Sequence, residues 1–170
     1  GELIDGARVG RRGVLPDLIE AVPAEPDRPL LRWSNGEWTY RHTLDAARSC
    51  ASLLDEYGVA EGDRVAIVSG NSEWRIAWQL GIWWIGAVEV SVNSELRGDL
   101  LAHVLRDSGP VVLLAEREFA ELVVGLTDAR LVVIDEVEPE PVPRAEDAAW
   151  DARALGLPSS GLGTILYTSR

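Results

Sequence analysis

Lysine and methionine are absent from this chain of 170 residues, and cysteine and phenylalanine occur once each. Without lysine there is no P-loop pattern of the form GxxxxGK followed by Ser or Thr, in which the lysine reaches the terminal phosphates of a nucleotide. All 16 basic residues are therefore arginine. The single cysteine, Cys50, excludes an intramolecular disulfide and any multi-cysteine metal site. The N-terminus has no apolar signal-peptide core. The longest nearly apolar run, Ile76 to Val88, falls short of the roughly 20 residues of a transmembrane helix, so it reads as a buried helix. With neither signal nor span, the sequence predicts a cytoplasmic protein. The chain starts at Gly1 rather than at a methionine and stops at Arg170, which carries the expectation of a fragment.

Positive charge is also scarce. The formal net charge is −12 and the pI about 4.5. Nucleic-acid binders carry clustered positive charge, so this balance argues against such a partner. The same argument applies to an anionic membrane surface. What the chain has is apolar residues, 46% of the total, enough for one α/β-sized core.

Residues 1–29 are rich in Gly, Pro and charge, with one helical candidate from Leu15 to Val22. Pro16 sits there where a first turn tolerates it. LLRWSNGEWTY follows, and its Asn35-Gly36 pair between apolar runs predicts a hairpin turn with both residues at positive φ. A helix is expected from Thr39 or Tyr40 to Tyr57, with Leu44, Ala47, Ala51 and Leu54 on one face. Gly58 stands at its C-terminal cap.

RVAIVS (Arg64–Ser69), AVEVSV (Ala87–Val92), VVLLA (Val111–Ala115), LVVID (Leu131–Asp135) and TILYTS (Thr164–Ser169) read as strands. Helices between them are expected at Glu73–Ile85, capped by Asn71 or Ser72, at Asp99–Ser108 and near Arg117–Leu126. Residues 30–135 thus form an α/β core. The acidic, proline-bearing stretch 136–160 reads as a solvated linker, and 161–170 as a closing strand. Alternating strands and helices imply right-handed crossovers and a mainly parallel sheet with flanking helices. The Trp74–Ile85 helix, apolar almost all round, is expected to leave a face exposed.

Isolated features read as structure rather than chemistry. Ser69-Gly70-Asn71-Ser72 follows a strand and opens a helix, but it has one glycine where a dinucleotide fingerprint needs three. Gly161-Leu162-Gly163 precedes a strand, so it reads as a turn. Cys50 lies at the apolar face of its helix as a small core residue. His42 and His103 read as surface or packing residues, and two histidines among scattered carboxylates make a poor transition-metal site. Trp74, Trp78, Trp83 and Trp84 lack the basic groove that stacking on single strands requires. Glu89 stands out among valines. A carboxylate buried there needs a partner, so an arginine, a backbone donor or a cleft is expected beside it.

The order of short motifs carries more. Trp38-Thr39-Tyr40 precedes the first long helix, and Gly62-Asp63-Arg64-Val65 precedes a strand. Asn71-Ser72 follows that strand. Gly86-Ala87 leads to an extended segment ending at Asn93, and Asp107-Ser108-Gly109 closes a helix. In this order the motifs resemble the adenylate-forming, AMP-binding superfamily of acyl-CoA synthetases, luciferases and peptide-synthetase adenylation domains. The resemblance runs from about Leu15 to Ser169, and the stretch Ser94-Glu95-Leu96-Arg97-Gly98 is most similar to fatty-acid and carnitine-type CoA ligases. Tyr167-Thr168-Ser169 matches the start of the family's phosphate loop. Arg170 stands where that loop has glycine, whose lack of a side chain lets backbone N–H groups approach phosphate.

The resemblance implies part of the large N-terminal domain of such an enzyme. The parent would be an AMP-forming acid–CoA ligase using ATP, Mg²⁺ and CoA. A carboxylic acid attacks the α-phosphorus of ATP to give an acyl-adenylate, and CoA thiol then takes the acyl group. Thr168 and Ser169 are the residues expected at the nucleotide phosphates; no catalytic residue and no metal ligand is assigned. The chain alone is expected to be inactive, with no bound nucleotide. An amino-acid adenylation domain, or a free-standing α/β binding module, are the alternative readings.

Overall fold

Four of the predicted strand segments lie side by side and point the same way, with a fifth, the closing strand, beside them. In the computed structural model, which describes residues 2–4, 7–11, 13–158 and 161–167, they are β5 (Arg64–Val68), β6 (Val88–Ser91), β7 (Val112–Ala115), β8 (Arg130–Val133) and β9 (Leu162–Tyr167). All four contacts among them are parallel. Two N-terminal strands, β1 (Glu2–Ile4) and β2 (Ala7–Arg11), extend the sheet, giving the order β1-β2-β9-β6-β5-β7-β8. β2 runs antiparallel to β9, with Ala7 opposite Tyr167.

The first five helices follow the expected signals. α1 is Val14–Ala21, with Pro16 in its first turn. α2 is Tyr40–Glu56, capped by the Thr39 hydroxyl, which accepts from the His42 N–H at 3.1 Å. α3 is Glu73–Trp84, capped in the same way by Ser72 and Arg75 N–H. α4 (Gly98–Ser108) ends on Gly109 at φ 56°, a left-handed cap. α5 is Arg117–Val123 and α6 is Asp147–Leu155.

Strand side chains alternate between two cores, as a pleated strand requires. Val65, Ile67, Leu114 and Val132 join a core with residues of α1, α2, α3 and α6. Ala66, Val68, Val90, Leu113 and Ala115 join residues of α4 and α5 on the other face. Both faces are covered, which explains why these strands read as continuous apolar runs. Leu44, Ala47, Ala51 and Leu54 of α2 are all fully buried.

Four expectations are corrected. Residues 1–29 contain the β1–β2 hairpin as well as α1; its pairing with β9 spans most of the chain, so local pattern does not reveal it. The stretch 136–160, read as a solvated linker, holds a 3₁₀ turn at Arg144–Glu146 and then α6. α6 fully buries only Ala154, with Trp150 partly buried beside it, and pairs with α2 through charge, so it lacks an apolar stripe. The separate hairpin of β3 (Pro29–Trp33) and β4 (Gly36–Thr39) turns on Ser34 and Asn35, one residue earlier than expected, because Trp33 pairs with Gly36. A Cβ at Gly36 would lie 3.0 Å from the Trp33 ring, so a larger residue there would have to displace that ring. Finally, α3 leaves no broad apolar face open: Ala77, Trp78 and Leu80 through Trp84 are buried, and Trp74 is its one exposed large apolar residue.

Candidate functional site

Thr168 and Ser169, the residues assigned to phosphate from sequence, lie outside the described residues. The site is therefore built from the strand that leads to them. β9 sits between β2 and β6, with Thr164 opposite Glu89 and Leu166 opposite Ser91.

Side chains from other elements hold β9 on both faces. The indole N–H of Trp83 in α3 donates to the Gly163 carbonyl at 2.8 Å, in a buried position. The Thr164 hydroxyl donates to Glu89 Oε2 at 3.3 Å. Glu89 is completely buried. It also accepts from the Gln79 amide at 2.6 Å and pairs with Arg75 Nη2 at 2.9 Å. Arg75 in turn donates to the Ser91 hydroxyl at 2.8 Å. Glu89 thus has the arginine partner expected of it. Arg75 Nη1 and Glu89 Oε1 are buried without a well-directed hydrogen bond, so this ion pair is held by proximity more than by geometry.

On the opposite face, the Tyr167 phenol donates to Asp107 Oδ2 at 2.5 Å. Burial, then the bond to Asp107 and its charge, push the Tyr167 hydroxyl up to about 12, against a smaller opposing pull from Arg64. Arg64 Nη1 donates to the Ser108 carbonyl at 2.9 Å.

The recognised motifs are mostly devices of this scaffold. Thr39 and Ser72 are helix caps. Asp63 accepts from the Ala60 N–H at 2.8 Å and closes the turn before β5. Gly86 ends α3 at φ 78°, a conformation that favours glycine. Asn93 accepts from the Glu95 N–H at 2.8 Å. Cys50 is buried, and burial pushes its thiol well up, away from reactivity. His42 stacks on Trp38 with centroids 4.6 Å apart, and His103 is exposed on α4. The structure does not bring Cys50, His42 and His103 together as a catalytic set.

At the C-terminal ends of β5 and β7, where the strand order reverses, Glu116 accepts from the Ser69 hydroxyl and from the Gly70 N–H. Open parallel sheets bind ligands at such a point, but here the donors are already satisfied by Glu116. Among the described residues no group of three or more His, Cys, Asp or Glu could hold a metal ion, and no helix is long and apolar enough to cross a membrane.

A family model described as "AMP-binding enzyme" matches residues 18–169. The chain belongs to the AMP-binding enzyme family. Among curated members it is 30% identical over 152 residues to surfactin synthase subunit 3 of Bacillus subtilis, covering 88% of this chain and 11% of that protein. It is 28% identical over 152 residues to the 2-succinylbenzoate–CoA ligase of a Geobacillus strain, covering 89% of this chain and 29% of the ligase. Among solved structures, VinN in complex with 3-methylaspartate superposes with a TM-score of 0.74 at 25% identity, over 98% of this chain and 46% of VinN. The chain thus spans less than half the length of each of these AMP-binding relatives, from 11% to 46%. The AMP-binding family uses ATP and Mg²⁺ with a carboxylic acid; the relatives of this chain include both CoA ligases and nonribosomal peptide synthetases. Sequence reasoning found the family motifs but missed the holds on β9 by Asp107 and Trp83, because each joins residues 60 or more positions apart.

Proposed function

We propose that this chain is the N-terminal part of an ATP-dependent, AMP-forming acid–CoA ligase. The observation that carries the reading is the family match over residues 18–169, which ends in Tyr167-Thr168-Ser169, whose tyrosine is the last residue of a strand of the parallel sheet. In this reading the Thr168 and Ser169 hydroxyls contact nucleotide phosphate, as hydroxyls readily do. The whole enzyme joins a carboxylic acid to AMP with release of pyrophosphate, then passes the acyl group to the CoA thiol. No Mg²⁺ ligand is assigned among the described residues. They contribute the parallel sheet that holds β9, and positioning of this kind is a large part of phosphate-transfer catalysis.

The match to a peptide synthetase supports a second reading, in which an amino acid is activated for a carrier protein. The full-length enzyme separates the two. Acid-dependent exchange of pyrophosphate into ATP is expected in either case. Release of free CoA thioester supports the ligase, whereas transfer only to a carrier-protein thiol supports the synthetase. Absence of exchange with any carboxylic or amino acid overturns both in favour of a binding module.

A further inference from the structure

Two carboxylates grip β9, one on each face. Residues 164 and 167 alternate across a strand, so Glu89 holds it through Thr164 from the α3 side and Asp107 holds it through Tyr167 from the α4 side. Each carboxylate is itself anchored by the scaffold. Glu89 accepts a hydrogen bond from Gln79 and is paired in charge with Arg75, while Asp107 sits at the end of α4, whose last carbonyl is bound by Arg64. Burying Glu89 completely is expensive without a return elsewhere. The arrangement brings together the motif residues Arg64, Asp107 and Tyr167, far apart in sequence, at the last residue of β9.

We propose that Asp107 and Glu89 are positioning residues for nucleotide binding, acting by fixing β9, the strand that directly precedes Thr168 and Ser169 in the sequence. This rests on the phosphate-loop reading above. Neither carboxylate touches the nucleotide. They act through Tyr167 and Thr164, and charge-assisted hydrogen bonds are well suited to fixing a geometry.

The test uses Tyr167→Phe and Thr164→Val, which remove one hydroxyl each and keep the strand-forming shape. In this chain, amide hydrogen exchange is expected to quicken in β9 while β5 and α2 keep their protection. In the full-length enzyme, KM for ATP is expected to rise by about two- to tenfold for each variant, the worth of one net hydrogen bond, with KM for the carboxylic acid unchanged. Asp107→Asn keeps an acceptor for the phenol and should largely retain the native KM for ATP, whereas Asp107→Ala should match Tyr167→Phe. Adding Asp107→Ala to Tyr167→Phe should have no further effect. An unchanged KM for ATP, or equal rises for ATP and acid, overturns the positioning role and leaves only a structural one. An unaltered enzyme without acid-dependent pyrophosphate exchange overturns the phosphate-loop reading itself, and this inference with it.

Discussion

Helix α2 is held by two neighbours in opposite ways. Against α3 the contact is apolar and close: a Cβ on Gly81 would lie 2.8 Å from Cys50 Cβ, 3.0 Å from the Ala51 nitrogen and 3.1 Å from the Ala47 carbonyl. Against the 144–155 segment the contact is ionic. Arg48, only 5% exposed, meets Asp151 at 2.9 Å and Asp45 at 3.0 Å, and lies 3.9 Å from Asp147. Arg144 bridges Asp45 and Asp147, and Arg153 reaches Asp55 at 2.9 Å. The apolar contact announces itself by three- and four-residue spacing. The ionic one has no period, because a long arginine reaches whichever carboxylate folding brings near. That is why α6 read as linker and α3 did not.

Trp84 belongs to both contacts. It is fully buried, its N–H donates to the Trp150 carbonyl at 2.7 Å, and the Arg48 guanidinium lies 5.2 Å from its ring centre. Trp84→Ala should therefore break the comparison itself, costing about 3–5 kcal/mol in chemical unfolding and loosening α3 and α6 together.

Gly81→Ala attacks the apolar side alone. Overpacking of this kind costs about 1–3 kcal/mol, and the upper end is expected because two of the three contacts are backbone. Cys50→Ala in the same background should give no relief, since the clash is with Cβ rather than sulfur. Full recovery would show that α2 and α3 simply slide apart.

Arg48→Met attacks the ionic side alone. Removing one partner of a fully buried pair costs about 3–5 kcal/mol, but Asp45, Asp147 and Asp151 are 19–39% exposed, so water screens much of this and about 1–2 kcal/mol is expected. The wild-type advantage over Arg48→Met should shrink with added salt, while that over Gly81→Ala should not; equal salt dependence would refute the division. The smallest effect is expected from Arg153→Ala. Its pair with Asp55 is 40% and 46% exposed, so a loss under about 1 kcal/mol is expected, measurable as faster amide exchange confined to α6.

The candidate site was legible to a similarly uneven degree. Thr39, Ser72 and Gly109 could be assigned from sequence because caps act within three or four residues. Glu89 could be singled out because a carboxylate among valines is anomalous, and the arginine expected among its partners proved to be Arg75. Nothing local marks Asp107 as the partner of Tyr167, or Trp83 as a donor to Gly163, since those contacts exist only once β9 has entered the sheet beside β6.

By itself, then, the sequence determined the alternation of strands and helices, the parallel sheet and the family, because periodicity, caps and motif order are local and repeat along the chain. Tertiary structure alone decided the N-terminal hairpin beside β9, the ion pairs between α6 and α2, and the holds on Thr164 and Tyr167 in β9. Each depends on residues distant in sequence, and the free energy of such contacts appears only after the chain has closed the loops between them.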